Sequence, residues 1–238
     1  LVLLPVAAHA QSVNIALGAA GQAGATSRLV QIIALVTVLS LAPPLMVMMM
    51  IITAFTRIII VLSLLRSALA TQSTPPNVVL IGLALFLTFF VMQPVLDQAW
   101  TTGLLPLTQG RVDEMEGLRL TAETFRHFML ANLRGSDLQV FLDIAHLPTP
   151  ATADAAPWRA LIPAFTVGEL RRAFEIGFLL FLPFLAIDMM VATVLMSLGM
   201  MLLPPNIVSL PSKLIFFVLV DRWRFVDGSL VQSFAPSN

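Results

Sequence analysis

Two charged residues stand inside long apolar runs: Asp188, midway along residues 176–203, and Lys213, midway along residues 207–220. An unpaired charge at the centre of a membrane helix costs about 2.5–3.5 kcal/mol, so each needs a partner. The economical solution is that they pair with each other, within one chain or across a subunit boundary. If a helix ran up to Pro204-Pro205 and the chain folded straight back, Asp188 would stand about 16 residues from the turn and Lys213 about 8. At 1.5 Å per residue that is a height mismatch of roughly 12 Å. A pair inside one straight hairpin is therefore awkward, and a pair between axially staggered subunits is easier. The other chemistry open to them is a proton relay through Asp188, or separate pairing with backbone or water. Arg57 and Arg66 need counter-charges or an aqueous loop as well.

The second set of residues is soft rather than charged. In "LMSLGMMLLPPN" (residues 195–206), Met200 and Met201 precede Pro204 and Pro205, with Met196 four residues earlier on the same helical face. On residue types alone this reads as core filling; its functional reading is an adaptable seal, because methionine is unbranched, flexible and polarizable. The cluster Met46, Met48, Met49 and Met50 is read as packing.

Catalytic chemistry is not expected. With no cysteine, disulfides, thiolate metal sites and cysteine nucleophiles are excluded. His9, His127 and His146 have no ligand spacing and read as surface or cap residues. No glycine loop for phosphate, metal cluster or triad pattern occurs, so neither enzyme activity, cofactor nor metal is expected. A net charge of zero gives no reason to expect nucleic acid.

The elements that carry these residues are helical. The chain is 58% hydrophobic and 11% charged, where soluble domains carry roughly 25% charged residues; it is a membrane protein or the buried part of a membrane complex. The first apolar stretch, residues 29–65, is broken by Pro43-Pro44 and by Arg57. Residues 78–96 contain no charge and are long enough for a hydrocarbon core of ~30 Å. Residues 176–203 form the third stretch, and residues 207–220, short for an independent span, the fourth. "TPPNVVL" (residues 74–80) and "LPPNIVSL" (residues 203–210) echo each other. In each, Pro-Pro-Asn ends one helix, because proline offers no amide donor, and starts the next.

The expected fold is all-α. It comprises two long helical hairpins with tips at Pro75-Pro76 and Pro204-Pro205, spanning residues 29–100 and 162–238, and a polar helical insertion at 101–161. Within the insertion, residues 116–133 form an amphipathic helix with Leu118, Phe125, Phe128, Met129 and Leu133 on one face. Residues 135–145 form another, with Ser136 or Asp137 as N-cap, and residues 147–157 a loop. Asp113, Glu114 and Glu116 read as a solvated face. "LVLLPVAAHAQS" resembles a signal segment with small residues at Ala8 and Ala10. Residues 1–10 are thus expected to be a signal peptide cleaved before Gln11, followed by a linker to residue 28, which places the new N-terminus and the insertion outside the cytoplasm. Loop charges do not settle orientation. Arg66 and Lys213 favour cytoplasmic tips, whereas Arg171, Arg172, Arg222 and Arg224 sit at the opposite ends. Helices that rest largely on other subunits would explain this.

Three long motifs carry a resemblance. "TAFTRIIIVLSLLRSALATQSTPPNVVLIGLALFLTFFVMQPV" (residues 53–95), "IPAFTVGELRRAFEIGF" (162–178) and "LGMMLLPPNIVSLPSKLIFFVLVDRW" (198–223) resemble the FliP family, from about residue 30 to the end and most weakly in the insertion. That family supplies export-gate subunits of the flagellar type III secretion apparatus; virulence-secretion homologues share the fold. The resemblance implies several copies assembling with the companion subunits FliQ and FliR, at the bacterial inner membrane in the flagellar basal body. Together they form a closed helical pore that passes unfolded export substrates and stands largely out of the bilayer plane. It implies that Met200 and Met201, with Met196, form the family's methionine gasket, with Leu202 and Leu203 at the positions open to further methionine. Gly168 departs from the family's small hydroxyl residue. Three functions remain as alternatives: a gate subunit of the flagellar or virulence system, a proton-coupled transporter through Asp188 and Lys213, and an assembly scaffold whose pore belongs to partners.

Overall fold

A computed structural model describes residues 23–71, 74–200, 203–219, 228, 230 and 232–234. The expected signal segment, His9, Met201, Leu202, Arg222 and Arg224 lie outside the described residues. The helices are α1 (Ala23–Ile51), α2 (Phe55–Ala68), α3 (Asn77–Ala99), α4 (Leu105–Thr108), α5 (Glu114–Ala131), α6 (Gly135–Ile144), α7 (Trp158–Ser197), α8 (Pro205–Val208) and α9 (Leu210–Leu219). A π-helical turn, Trp100–Leu104, joins α3 to α4, and a 3-10 turn, Ala153–Ala155, precedes α7. Among the described residues there is no strand, so the fold is all-α.

The chain divides into two compact units, residues 1–46 and 47–238. In the first, the described residues belong to α1, and their apolar side chains, Ile33, Leu35 and Leu39 among them, are exposed. Proline does not break this helix: Pro43 and Pro44 lie inside its 29 residues. They deprive the Leu39 and Ser40 carbonyls of helical donors, a loss that long apolar helices tolerate. The helix stops instead at residues 52–54. There the Thr53 hydroxyl donates to the Met50 carbonyl at 3.0 Å and accepts from the Phe55 amide at 3.5 Å, competing with the helical ladder.

In the second unit the core lies along α2 and α7. Ile58, Val61, Leu62 and Leu65 of α2 meet Phe165, Ala173, Leu180 and Phe184 of α7, with Ala84 and Met92 of α3 and Phe125 and Met129 of α5 closing the cluster. Gly177 permits the approach of α2: a Cβ there would lie 2.2 Å from Leu64 Cδ1. α6 lays Leu138 and Leu142 on Ala160 and Ala164 at the start of α7.

The polar insertion is helical where its periodicity predicts, with two corrections. Leu118, expected on the apolar face of α5, is exposed, whereas Phe125, Phe128 and Met129 are buried. The N-cap of α6 is Arg134, without a side-chain cap bond; Asp137 is buried and turned to Arg171 instead. The acidic cluster is partly a cap, since Asp113 Oδ1 accepts from the Glu116 amide at 2.8 Å. Arg119 donates to both Glu116 oxygens and holds that carboxyl below its ordinary range.

Among the described residues, three helical stretches are long and apolar enough to cross a bilayer: Arg28–Ile51, Asn77–Thr108 and Trp158–Ser197. Phe86, Phe89 and Phe90 of α3 and Phe174, Phe178 and Leu179 of α7 are exposed. Large apolar surface left uncovered in a single chain marks contact with lipid or other protein.

Candidate functional site

The end of α7 is set by glycine, not by the prolines. Gly199 adopts φ +73°, its amide donates to Met196 O at 3.1 Å, and the Met200 amide donates to Leu195 O at 2.9 Å. These two bonds form a Schellman cap, in which glycine takes the left-handed position without steric penalty. The helix therefore stops at Ser197, well before Pro204 and Pro205. This corrects the expectation that the proline pair ends the helix. The pair shapes only the next element, with Pro204 as the N-cap of α8 and Pro205 as its first residue. The end of α2 is similar, with a side-chain hydroxyl in place of the second amide. Ala70 takes φ +57°, its amide donates to Ser67 O at 3.0 Å, and the Thr71 hydroxyl donates to Arg66 O at 3.2 Å. Pro76 is the N-cap of α3, and Arg66 Nη1 donates to Asn77 Oδ1 at 2.6 Å and to Pro75 O at 3.3 Å, tying the end of α2 to the start of α3.

Met196, in the last turn of α7, and Met200, just past the cap, are both exposed, at 57% and 49%. Met200 is off the helix, so the two do not share a helical face in the simple four-residue sense. Met46, Met48 and Met49, read from sequence as packing, are exposed too.

Asp188 and Lys213 meet within one chain. Lys213 Nζ donates to Asp188 Oδ2 at 2.7 Å, and Ser209 Oγ donates to Asp188 Oδ1 at 2.5 Å. The expected height mismatch is corrected by the true helix ends. Asp188 precedes the end of α7 at Ser197 by about nine residues, and Lys213 comes about eight residues after the start of α8 at Pro205. At 1.5 Å per residue the two lie at nearly the same height. The Lys213 side chain is 2% exposed and that of Asp188 24%. A cavity of about 410 Å³ opens beside them, lined also by Arg66, Phe181 and Asn206.

The counter-charge that Arg57 requires is Glu169, a pairing that sequence reasoning missed. Arg57 Nε donates to Glu169 Oε2 at 2.8 Å and Nη2 to Oε1, and both side chains are fully buried. Arg57 Nη1 donates to the Ser233 carbonyl at 2.9 Å and to its hydroxyl at 2.7 Å. Its guanidinium carbon lies 3.6 Å from the centre of the Phe234 ring, which stacks on Phe128. Residues 233 and 234 are thus held against α2, α5 and α7. The available signal was Glu169 itself, the first acid along α7, reached after the largely apolar run of residues 160–168.

Elsewhere, His127 Nδ1 lies 3.6 Å from Asp154 with both side chains exposed. Arg126 donates to the Asp154 and Ala156 carbonyls and lies over Trp158, fastening the loop before α7 to α5. Among the described residues, no group of three His, Asp or Glu side chains is placed to hold a metal ion.

Long apolar helices with uncovered faces, and charges paired inside them, define an all-helical membrane protein. The FliP family pattern matches residues 35–230. The chain is 52% identical to the flagellar biosynthetic protein FliP of Caulobacter vibrioides, over 98% of this chain and 86% of that protein. It is 49% identical to that of Agrobacterium fabrum, over 84% and 81%, and 48% identical to that of Bacillus subtilis, over 87% and 93%. The chain belongs to the FliP family.

Proposed function

We propose that this chain is a component of the flagellar export apparatus and, more finely, a pore-forming subunit of its type III export gate. It passes unfolded flagellar proteins across the inner membrane, assembled with copies of itself and with FliQ and FliR at the basal body. Membership of the FliP family over most of the chain carries this reading. In it, residues 29–100 and 162–238 act as two hairpins around the tips at Pro75-Pro76 and Pro204-Pro205, and residues 101–161 face the periplasm. Met196, Met200 and Met201 line the constriction. The exposure of Met196 and Met200 at a glycine-capped helix end supports that role: side chains free of the core of their own chain can close against those of neighbouring copies and repack around a passing polypeptide. Energy comes from partners or the proton gradient.

The reading separates from a proton-coupled transporter through Asp188. In cells, Asp188→Asn is expected to reduce the amount of assembled gate on a native gel together with export, because Lys213 loses the carboxylate that ties α9 to α7. A gate that assembles at the normal level but passes no substrate would favour the transporter and sink the gate reading.

A further inference from the structure

A cleft of about 680 Å³ lies between α3, α5, α7 and residues 233–234, away from Asp188 and the methionines. Among the described residues, four ionisable side chains line it: His127, Arg134, Arg172 and Glu175. His127 faces Asp154, and Arg134 pairs with Glu175 at 3.3 Å. Arg172 makes no hydrogen bond or ion pair with any described residue. The reason lies in its neighbours. The carboxylates three residues before and after it on α7 are Glu169 and Glu175, and spacing of that kind would ordinarily supply a partner. Glu169 gives both oxygens to Arg57, and Glu175 faces Arg134. The next acid, Asp137, is held by Arg171 at 2.8 Å. Each of these carboxylates bonds to another arginine, so Arg172 acts on Glu169 only through space and, among the described residues, has no direct ion-pair partner. The rest of the cleft wall mixes polar side chains, Gln98, Thr124 and Asn132 among them, with an apolar part that includes Ile176 and the stacked rings of Phe128 and Phe234.

We infer that this cleft docks a protein segment of a companion subunit that presents a carboxylate to Arg172 and an apolar side chain to Phe128 and Phe234. The charge complementarity fixes the chemistry: a carboxylate accepts two parallel bonds from a guanidinium, and the half-buried Phe234 offers an apolar contact in the same cleft. The inference rests on the assembly proposed above and names the chemistry of one contact in it.

The test is co-purification of the full chain with its companions from membranes, comparing wild type, Arg172→Lys and Arg172→Glu, with thermal melting of each isolated chain in detergent. The expected result is at least a tenfold loss of assembled complex for Arg172→Glu and near-normal assembly for Arg172→Lys, with unchanged melting. Normal assembly of Arg172→Glu overturns the inference. So does a parallel fall in melting temperature, which would make Arg172 a structural residue. Loss of co-purifying anionic lipid with subunit stoichiometry intact also overturns it, assigning the cleft to a headgroup. If the wild-type chain joins no companion, the assembly reading itself fails and the docking inference falls with it.

Discussion

Two of the ion pairs on the apolar helices of this protein differ in what surrounds them. Arg57–Glu169 is fully sealed, bidentate and further satisfied by Ser233 and Phe234. Asp188–Lys213 buries its cation but leaves the acid partly open to a cavity. The first joins segments 112 residues apart in sequence and has no solvent to fall back on; it organises the core. The second joins segments 25 residues apart, on the helix that ends in Met196 and the Gly199 cap. Burial decides how much each pair can tolerate, because a removed partner leaves the other charge either stranded or able to reach water.

The largest predicted effect comes from the sealed pair. Glu169→Ala leaves Arg57 buried and unpaired, and is expected to destabilise the chain by about 3–5 kcal/mol, read as denaturant unfolding in detergent. The open pair should respond less: Asp188→Ala is expected to cost about 2 kcal/mol, because the 24% exposure of Asp188 lets water reach Lys213 through the vacated side. Equal losses from the two substitutions would break the distinction.

A third charged contact sharpens it. Asp137 Oδ2 is buried without a hydrogen-bond partner among the described residues, and a Cβ at Gly168 would lie 3.5 Å from it, in ordinary contact. Gly168→Ser adds a hydroxyl donor to that oxygen and removes a glycine from a helix interior, so it should stabilise by about 1–2 kcal/mol. No gain in melting temperature would mean that the oxygen is already satisfied by water. The smallest effects concern the two left-handed helix ends. Gly199→Ala should destabilise, and Ala70→Gly stabilise, each by roughly 1 kcal/mol, measured by the same unfolding curves.

These positions also mark how far the sequence could be read. Periodicity placed α5 and α6 within a few residues, because an amphipathic face in contact with a core repeats at helical spacing. The need of Arg57 for a counter-charge was visible from its apolar flanks; the identity of Glu169 was not, since nothing local links residues 57 and 169. The relation of Asp188 to Lys213 turns on a single helix length. Proline reads as the stop, whereas "SLGM" holds a Schellman signature: glycine after the last helical turn, then an apolar residue. At Ala70 no such signal exists, because alanine rarely takes a positive φ. Pro43-Pro44 misleads in the opposite direction, since a long apolar helix absorbs a proline pair that a short one would not.

The most direct test of the central claim, that the end of α7 seals a conduit, is small-ion leakage in cells carrying the assembled complex with Met200 and Met201 both changed to Ala, with assembly verified on a native gel. The account predicts that the complex forms and the membrane leaks. A complex that forms and stays tight would contradict it, placing the seal on another subunit and leaving this chain as scaffold.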